Sequence, residues 1–164
     1  MKKTVLFIVG VQVVMLLSAC NFSKGVKKDL STGLTTSYNG LSIEDVYLAE
    51  DEESNKVSTN TLALGSKILI VVTGVGNYTL KDGKVFPGCT IILKDSAGKE
   101  ILNLPDAFAD QKDGLPEKEA STLKATLTTG DPMVVGQKYH FSAVFFDKLK
   151  KESTIATSVD VIMK

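Results

Sequence analysis

The sequence predicts an all-β chain, an immunoglobulin-like antiparallel β-sandwich of about seven or eight strands behind a cleaved signal peptide and a flexible tether. Three observations predict it. Apolar residues past Gly40 recur with a period of two, turns containing Gly, Asp or Ser separate the alternating runs, and only one short stretch, 105–109, has helical character. A sandwich buries alternate residues between two sheets about 10 Å apart, so a period of two without long helices is what it requires. A closed barrel is the second arrangement compatible with this pattern.

The chain opens with Lys2 and Lys3 and an apolar run over 5–17 that is interrupted only by Gly10 and Gln12. A helix of that length reaches about 20 Å, short of the roughly 30 Å hydrocarbon core, which favours a removable signal peptide over a permanent span. The run ends in Leu17-Ser18-Ala19-Cys20. These residues resemble the lipobox of bacterial lipoproteins, in which a Leu and two small residues precede the Cys that receives lipid. The resemblance covers about the first 21 residues. It implies cleavage before Cys20, a diacylglyceryl thioether on the Cys20 sulfur and usually a third, amide-linked chain. At about 0.8 kcal/mol per buried CH₂, two or three such chains anchor a protein stably where one does not.

The implied organisation is a leader over 1–19, a lipidated N-terminus and tether over 20–40, and a sandwich domain over 41–164. Residues 21–40 are rich in Ser, Thr, Gly and Lys with no apolar periodicity, which is tether composition. Lys24, Lys27 and Lys28 lie close to Cys20, where each adds on the order of 1 kcal/mol on an anionic leaflet; a solvated spacer is the plainer reading.

Past Gly40 the strands follow in order. Leu41, Ile43 and Tyr47 recur at even spacing over 41–48, and 67–75 is β-branched and almost continuously apolar, as a central strand should be. Segments 85–94 and 100–104 flank Asp95-Ser96-Ala97-Gly98-Lys99, a hairpin turn with Gly where positive φ is needed. Leu123, Ala125 and Leu127 alternate with polar residues before Thr129-Gly130-Asp131-Pro132 breaks the chain. In 139–146, Tyr139, Phe141, Ala143 and Phe145 point one way and His140, Ser142, Val144 and Phe146 the other. A Lys-rich turn over 147–152 precedes a closing strand with Ile155, Thr157, Val159, Val161 and Met163 on one face.

Phe86-Pro87-Gly88, Asp95 to Gly98, Pro105-Asp106-Ala107-Phe108, Gly130-Asp131-Pro132-Met133 with Gly136, and the run from Tyr139 to Lys148 make 65–164 resemble a loose group of small β-sandwich lipoproteins of Bacteroidetes. These are turn and core positions, and most members of that group have no assigned activity. The resemblance implies fold and compartment rather than task.

Cleavage leaves the 145 residues of 20–164, enough for one domain with its own core. With Lys2 and Lys3 removed, 17 Lys face 19 acidic residues, a balance of about −2. Every basic residue is Lys. Without Arg, the usual bidentate reader of guanine and phosphate, nucleic acid is not an expected partner. If Cys20 is lipidated, Cys89 is the sole remaining thiol and reads as a small core hydrophobe.

No catalytic residue, metal ligand set or cofactor site is expected. His140, the only histidine, sits mid-strand, and one His with one spare Cys assembles none of the usual structural zinc sets. No Gly-x-Ser-x-Gly elbow presents a nucleophile. Gly74-Val75-Gly76 lacks a third glycine, Thr79 standing in its place, and reads as a bulge or turn. Glu50-Asp51-Glu52-Glu53 supplies oxygens but not EF-hand spacing, so it reads as a solvated loop. Asp95-Ser96-Ala97 resembles the three-residue O-glycosylation motif of Bacteroidetes, which makes Ser96 the candidate acceptor.

The expected function is a non-catalytic, membrane-anchored extracytoplasmic lipoprotein that binds or scaffolds another envelope protein by a sheet edge or by loops at one sandwich end. The alternative is a glycan-binding accessory lipoprotein of a nutrient-uptake system. That reading needs exposed aromatic platforms, for which Tyr38, Tyr47 and Tyr78 are the candidates, since the chain has no Trp. Asn21 after the lipidated Cys and the basic tether point to the outer membrane, facing the periplasm; the cell surface is the other location considered.

Overall fold

The computed structural model describes residues 23–164. The expected leader, its expected cleavage site and Cys20 lie outside the described residues. Ten strands follow in chain order: β1 (Lys24–Lys28), β2 (Thr35–Asn39), β3 (Asp45–Glu50), β4 (Thr61–Leu62), β5 (Lys67–Thr73), β6 (Pro87–Asp95), β7 (Glu100–Leu104), β8 (Thr122–Thr128), β9 (Lys138–Asp147) and β10 (Lys150–Met163). The described residues contain no α-helix, only a 3₁₀ turn at Glu119–Ser121.

The strands form an antiparallel β-sandwich. Its seven-stranded sheet runs β1-β2-β10-β9-β6-β7, with β4 beside the C-terminal end of β10 in a short parallel pairing, and the facing sheet is β3-β5-β8. Alternation builds the core between them. The large sheet turns in Cys89, Ile91 and Leu93 from β6, Tyr139, Phe141, Ala143 and Phe145 from β9, and Ile155, Val159, Val161 and Met163 from β10, while Val46, Leu48, Ile68, Ile70, Val72, Leu123, Ala125 and Leu127 come from the small sheet. Phe141 and Phe145 are fully buried. Large aromatics on a central strand contribute most to such a core because each removes so much apolar area from water.

The stretch expected as a tether requires correction. Residues 24–39 form the hairpin β1–β2, which joins the large sheet through β2 on β10, with Tyr38 opposite Ile155 and Thr36 opposite Thr157. Their composition is polar because an edge hairpin is held mainly by ladder hydrogen bonds and buries few side chains. Among those few are Leu34 and Thr36. Asp29 shapes the turn: its carboxylate accepts Ser31 N–H and the Ser31 and Thr32 hydroxyls, which together hold it down at about 2.

Other expectations shift locally. Leu41 is buried but belongs to the connector, and the inward row of β3 is Val46 and Leu48, not Tyr47. Tyr47 lies on the outer face of the small sheet beside a second cluster of Ala49, Leu69 and Val71. The 105–109 stretch is a capped turn rather than a helix: Asp106 accepts Phe108 N–H at 2.9 Å, and Ala107 N–H donates to the Cys89 carbonyl. The turn after β9 is tighter than 147–152, β10 resuming at Lys150. The central place of β5 and the hairpin at Gly98, with φ 82°, match the sequence reading.

Candidate functional site

The two sheets are unequal in width, so the edge strands of the large sheet project past the small one. What each projecting edge turns inward differs. On β1 the inward positions are Gly25 and Lys27. Tyr38 packs its ring over Gly25, and the Lys27 ammonium donates to the Glu44 carbonyl next to β3, so this side is bridged by polar reach.

On β7 the inward positions are Leu102, paired with buried Leu93, and Leu104, paired with buried Ile91. Both leucines remain 38–40% exposed at the rim of the sandwich, where the small sheet ends at β8. A groove of about 180 Å³ runs here between Ile101 and Leu102 on one side and Leu127, Pro132 and Met133 on the other. Val134 and Val135, next in the chain, are more than half exposed. The outer edge of β7 has no neighbouring strand and offers an open row of backbone donors and acceptors. The hairpin turn over 95–99 placed the strand, but sequence reasoning missed that its inner face would stay partly exposed, since that depends on where the other sheet ends.

His140 occupies the outer face of the large sheet. Its Nδ1 lies 2.9 Å from Asp160, whose carboxyl is held below the usual range first by that hydrogen bond and then by Lys138 at 3.3 Å. Ser142 and Ser158 share the face, yet β9 is paired on both sides, so the backbone N–H groups beside His140 are used in the ladder and form no oxyanion cradle. All these side chains are well exposed or half-buried.

Cys89 is fully buried, and its thiol is pushed up to about 12 by burial and secondarily by Asp106. A thiol so rarely ionised is a poor nucleophile. Glu50 accepts Ala63 N–H and the Ser66 hydroxyl, Asp51 accepts Lys67 N–H, and Glu53 pairs with Lys124 at 2.9 Å, so the acidic run fastens a loop. Among the described residues no cluster of three His, Cys, Asp or Glu is arranged to hold a metal ion. Ser96 is exposed at the hairpin tip, where Asp95 accepts Ala97 and Lys99 N–H, both at 2.9 Å.

The three tyrosines are not gathered into a platform. Tyr78 is buried with its hydroxyl donating to the Ala120 carbonyl, Tyr47 lies under the Lys56 ammonium at 4.8 Å, and Tyr38 covers Gly25. No protein-family model matches the chain, and no curated protein matches it.

Proposed function

We propose that this chain is a cell-envelope lipoprotein anchored through Cys20, and that its sandwich is a non-catalytic module that binds or scaffolds another envelope protein along β7. The observation that carries the binding reading is the bare inner row of Leu102 and Leu104 on a strand whose outer edge is unpaired. An extended segment of a partner added to β7 gains main-chain hydrogen bonds and seats alternate apolar side chains over the groove. Sheet order favours the same edge. β1 begins at Lys24, four positions after Cys20, and β7 is five strand spacings from β1, about 24 Å, so β7 stands on the side of the domain far from the anchor.

The anchor reading rests on Leu17-Ser18-Ala19-Cys20 after an apolar run too short to span. Asn21 directly after Cys20 and the basic residues that follow support the outer membrane on the periplasmic side, with the cell surface as the alternative. A glycan-binding role has less support, because the tyrosines it would use are engaged elsewhere.

Metabolic labelling with a fatty acid tests the anchor: label on the wild type and none on Cys20→Ala is the expected result, and label retained on the variant sinks it. A photo-crosslinking residue at position 104 is expected to yield a protein adduct in intact cells, whereas the same residue at position 142, on the outer face, is not. Equal adducts at both positions, or none at 104, would remove β7 as the binding edge.

A further inference from the structure

We infer that the outward row of β1 is a membrane-seating surface that lays the domain against an anionic phospholipid leaflet, an inference that rests on the lipid-anchor reading of Cys20. Along this strand and into its turn, Lys24, Val26, Lys28 and Leu30 are exposed and alternate with the half-buried Gly25, Lys27 and Asp29. Val26 is 72% and Leu30 89% exposed, the two largest values among the exposed large hydrophobics of the described residues. Single exposed apolar residues are ordinary on a protein surface. Here Val26 stands between two ammonium groups on the strand and Leu30 follows two residues on in the turn, the pattern of basic residues flanking apolar ones that suits a headgroup boundary.

Two further observations choose the leaflet over other occupants. The first is chain length. Only three residues lie between Cys20 and Lys24, a reach of at most about 14 Å over four chain steps, so a lipid on Cys20 brings the start of β1 to the headgroups. Had 20–40 been a free tether, no face of the domain would have been selected.

The second is charge. The outward neighbours of the row on β2 are Asn39, Ser37 and Thr35, opposite Lys24, Val26 and Lys28, and neither β1 nor β2 contains an acidic residue. The nearby Asp29 stays ionised, its carboxylate held by Ser31 and Thr32, so along 24–30 three Lys stand against one acidic residue, a balance of about +2. Asp160 of β10 lines the same hollow as Lys28 but is itself paired with Lys138 at 3.3 Å, so the row keeps a net positive charge beside its apolar residues, as an anionic surface requires.

The chain contains no Trp, so one introduced Trp reports alone. The full chain, expressed with its leader, is purified and reconstituted into vesicles of phosphatidylcholine and phosphatidylglycerol bearing brominated acyl chains. Leu30→Trp is expected to show blue-shifted emission and at least twofold stronger quenching than Leu104→Trp on the opposite edge. Each Lys near an anionic leaflet favours the seated state by roughly fivefold, so replacing both Lys24 and Lys28 by Gln in the Leu30→Trp chain should lower the ratio of seated to free domain by roughly 25-fold at low salt. Water-like, unquenched emission from Leu30→Trp in protein that floats with the vesicles overturns the seating surface and leaves the anchor standing. A blue shift already present in detergent and insensitive to bromine would mean that a second copy covers the row, which also overturns it. Failure of the wild-type chain to float with vesicles at all removes the anchor and the inference together.

Discussion

Replacing Asp106 by Ala should be among the most damaging changes outside the core. One carboxylate oxygen accepts Cys89 N–H at 3.1 Å and Phe108 N–H at 2.9 Å, and the other takes the Lys148 ammonium at 2.8 Å. Lys148 in turn donates to the Phe108 carbonyl at 2.7 Å, so the group ties the turn after β7 to β6 and to the β9–β10 turn. Hydrogen bonds to charged groups contribute about 1.5–3 kcal/mol each, net of the bonds to water they replace. Asp106 and Lys148 are about a quarter exposed, so water re-solvates part of what is lost, whereas the buried Cys89 N–H is left without its acceptor. The net cost of Asp106→Ala is about 2–4 kcal/mol, a fall of roughly 5–15 °C in midpoint for a domain of this size.

Burial disfavours the Asp106 carboxylate, but Lys148 and the Phe108 and Cys89 N–H groups outweigh it and hold the carboxyl below its ordinary 3.8. A lowered folded value means stability that is complete above about pH 4 and is lost as the pH falls through the lowered value. Asp106→Asn keeps one acceptor, so it should cost about 1–2 kcal/mol at neutral pH and flatten the acid limb of the stability curve. Urea titrations of the chain from pH 2 to pH 7 read both effects. A change below 0.5 kcal/mol for Asp106→Ala, or an unaltered acid limb for Asp106→Asn, would refute the assignment.

Three further outcomes follow from the same structure. Phe141→Ala empties the middle of the core and should cost about 3–5 kcal/mol in chemical denaturation; a loss under 1 kcal/mol would mean that the inward row of β9 is misplaced. Because burial suppresses ionisation of Cys89, an aromatic disulfide reagent at pH 8 should leave its thiol untouched in the folded chain and titrate it on adding denaturant, and rapid reaction without denaturant would contradict its burial. His140→Gln breaks only an exposed pair with Asp160 and should change stability by less than about 1 kcal/mol. A hydrolytic or transfer activity in the purified protein that vanished in this variant while it stayed folded would overturn the non-catalytic reading.

Much of the sandwich was legible in the chain because its central strands carry their own pattern. Tyr139, Phe141, Ala143 and Phe145 alternate with polar or smaller residues, and the inward rows of β8 and β10 do the same, so each strand states which face is buried. The Asp95 to Lys99 turn was equally plain, since Asp95 accepts the N–H groups two and four residues on and Gly98 takes the positive φ. Residues 24–39 were not legible. Lys-Gly-Val-Lys-Lys and Thr-Thr-Ser-Tyr-Asn have tether composition, and what makes them strands is a ladder to β10, which lies more than 100 residues further along the chain.

Sequence by itself therefore determined the alternating faces, the turns and the lipobox resemblance, because period, turn chemistry and a contiguous motif are local properties of the chain. Tertiary structure decided that the large sheet outruns the small one, that Leu102 and Leu104 are left bare on β7, and that Val26 and Leu30 share one exposed row with Lys24 and Lys28. Those outcomes depend on which distant strands pair and where a facing sheet ends. The same apolar residue is core under a neighbouring sheet and surface one strand beyond it, and no local pattern distinguishes the two.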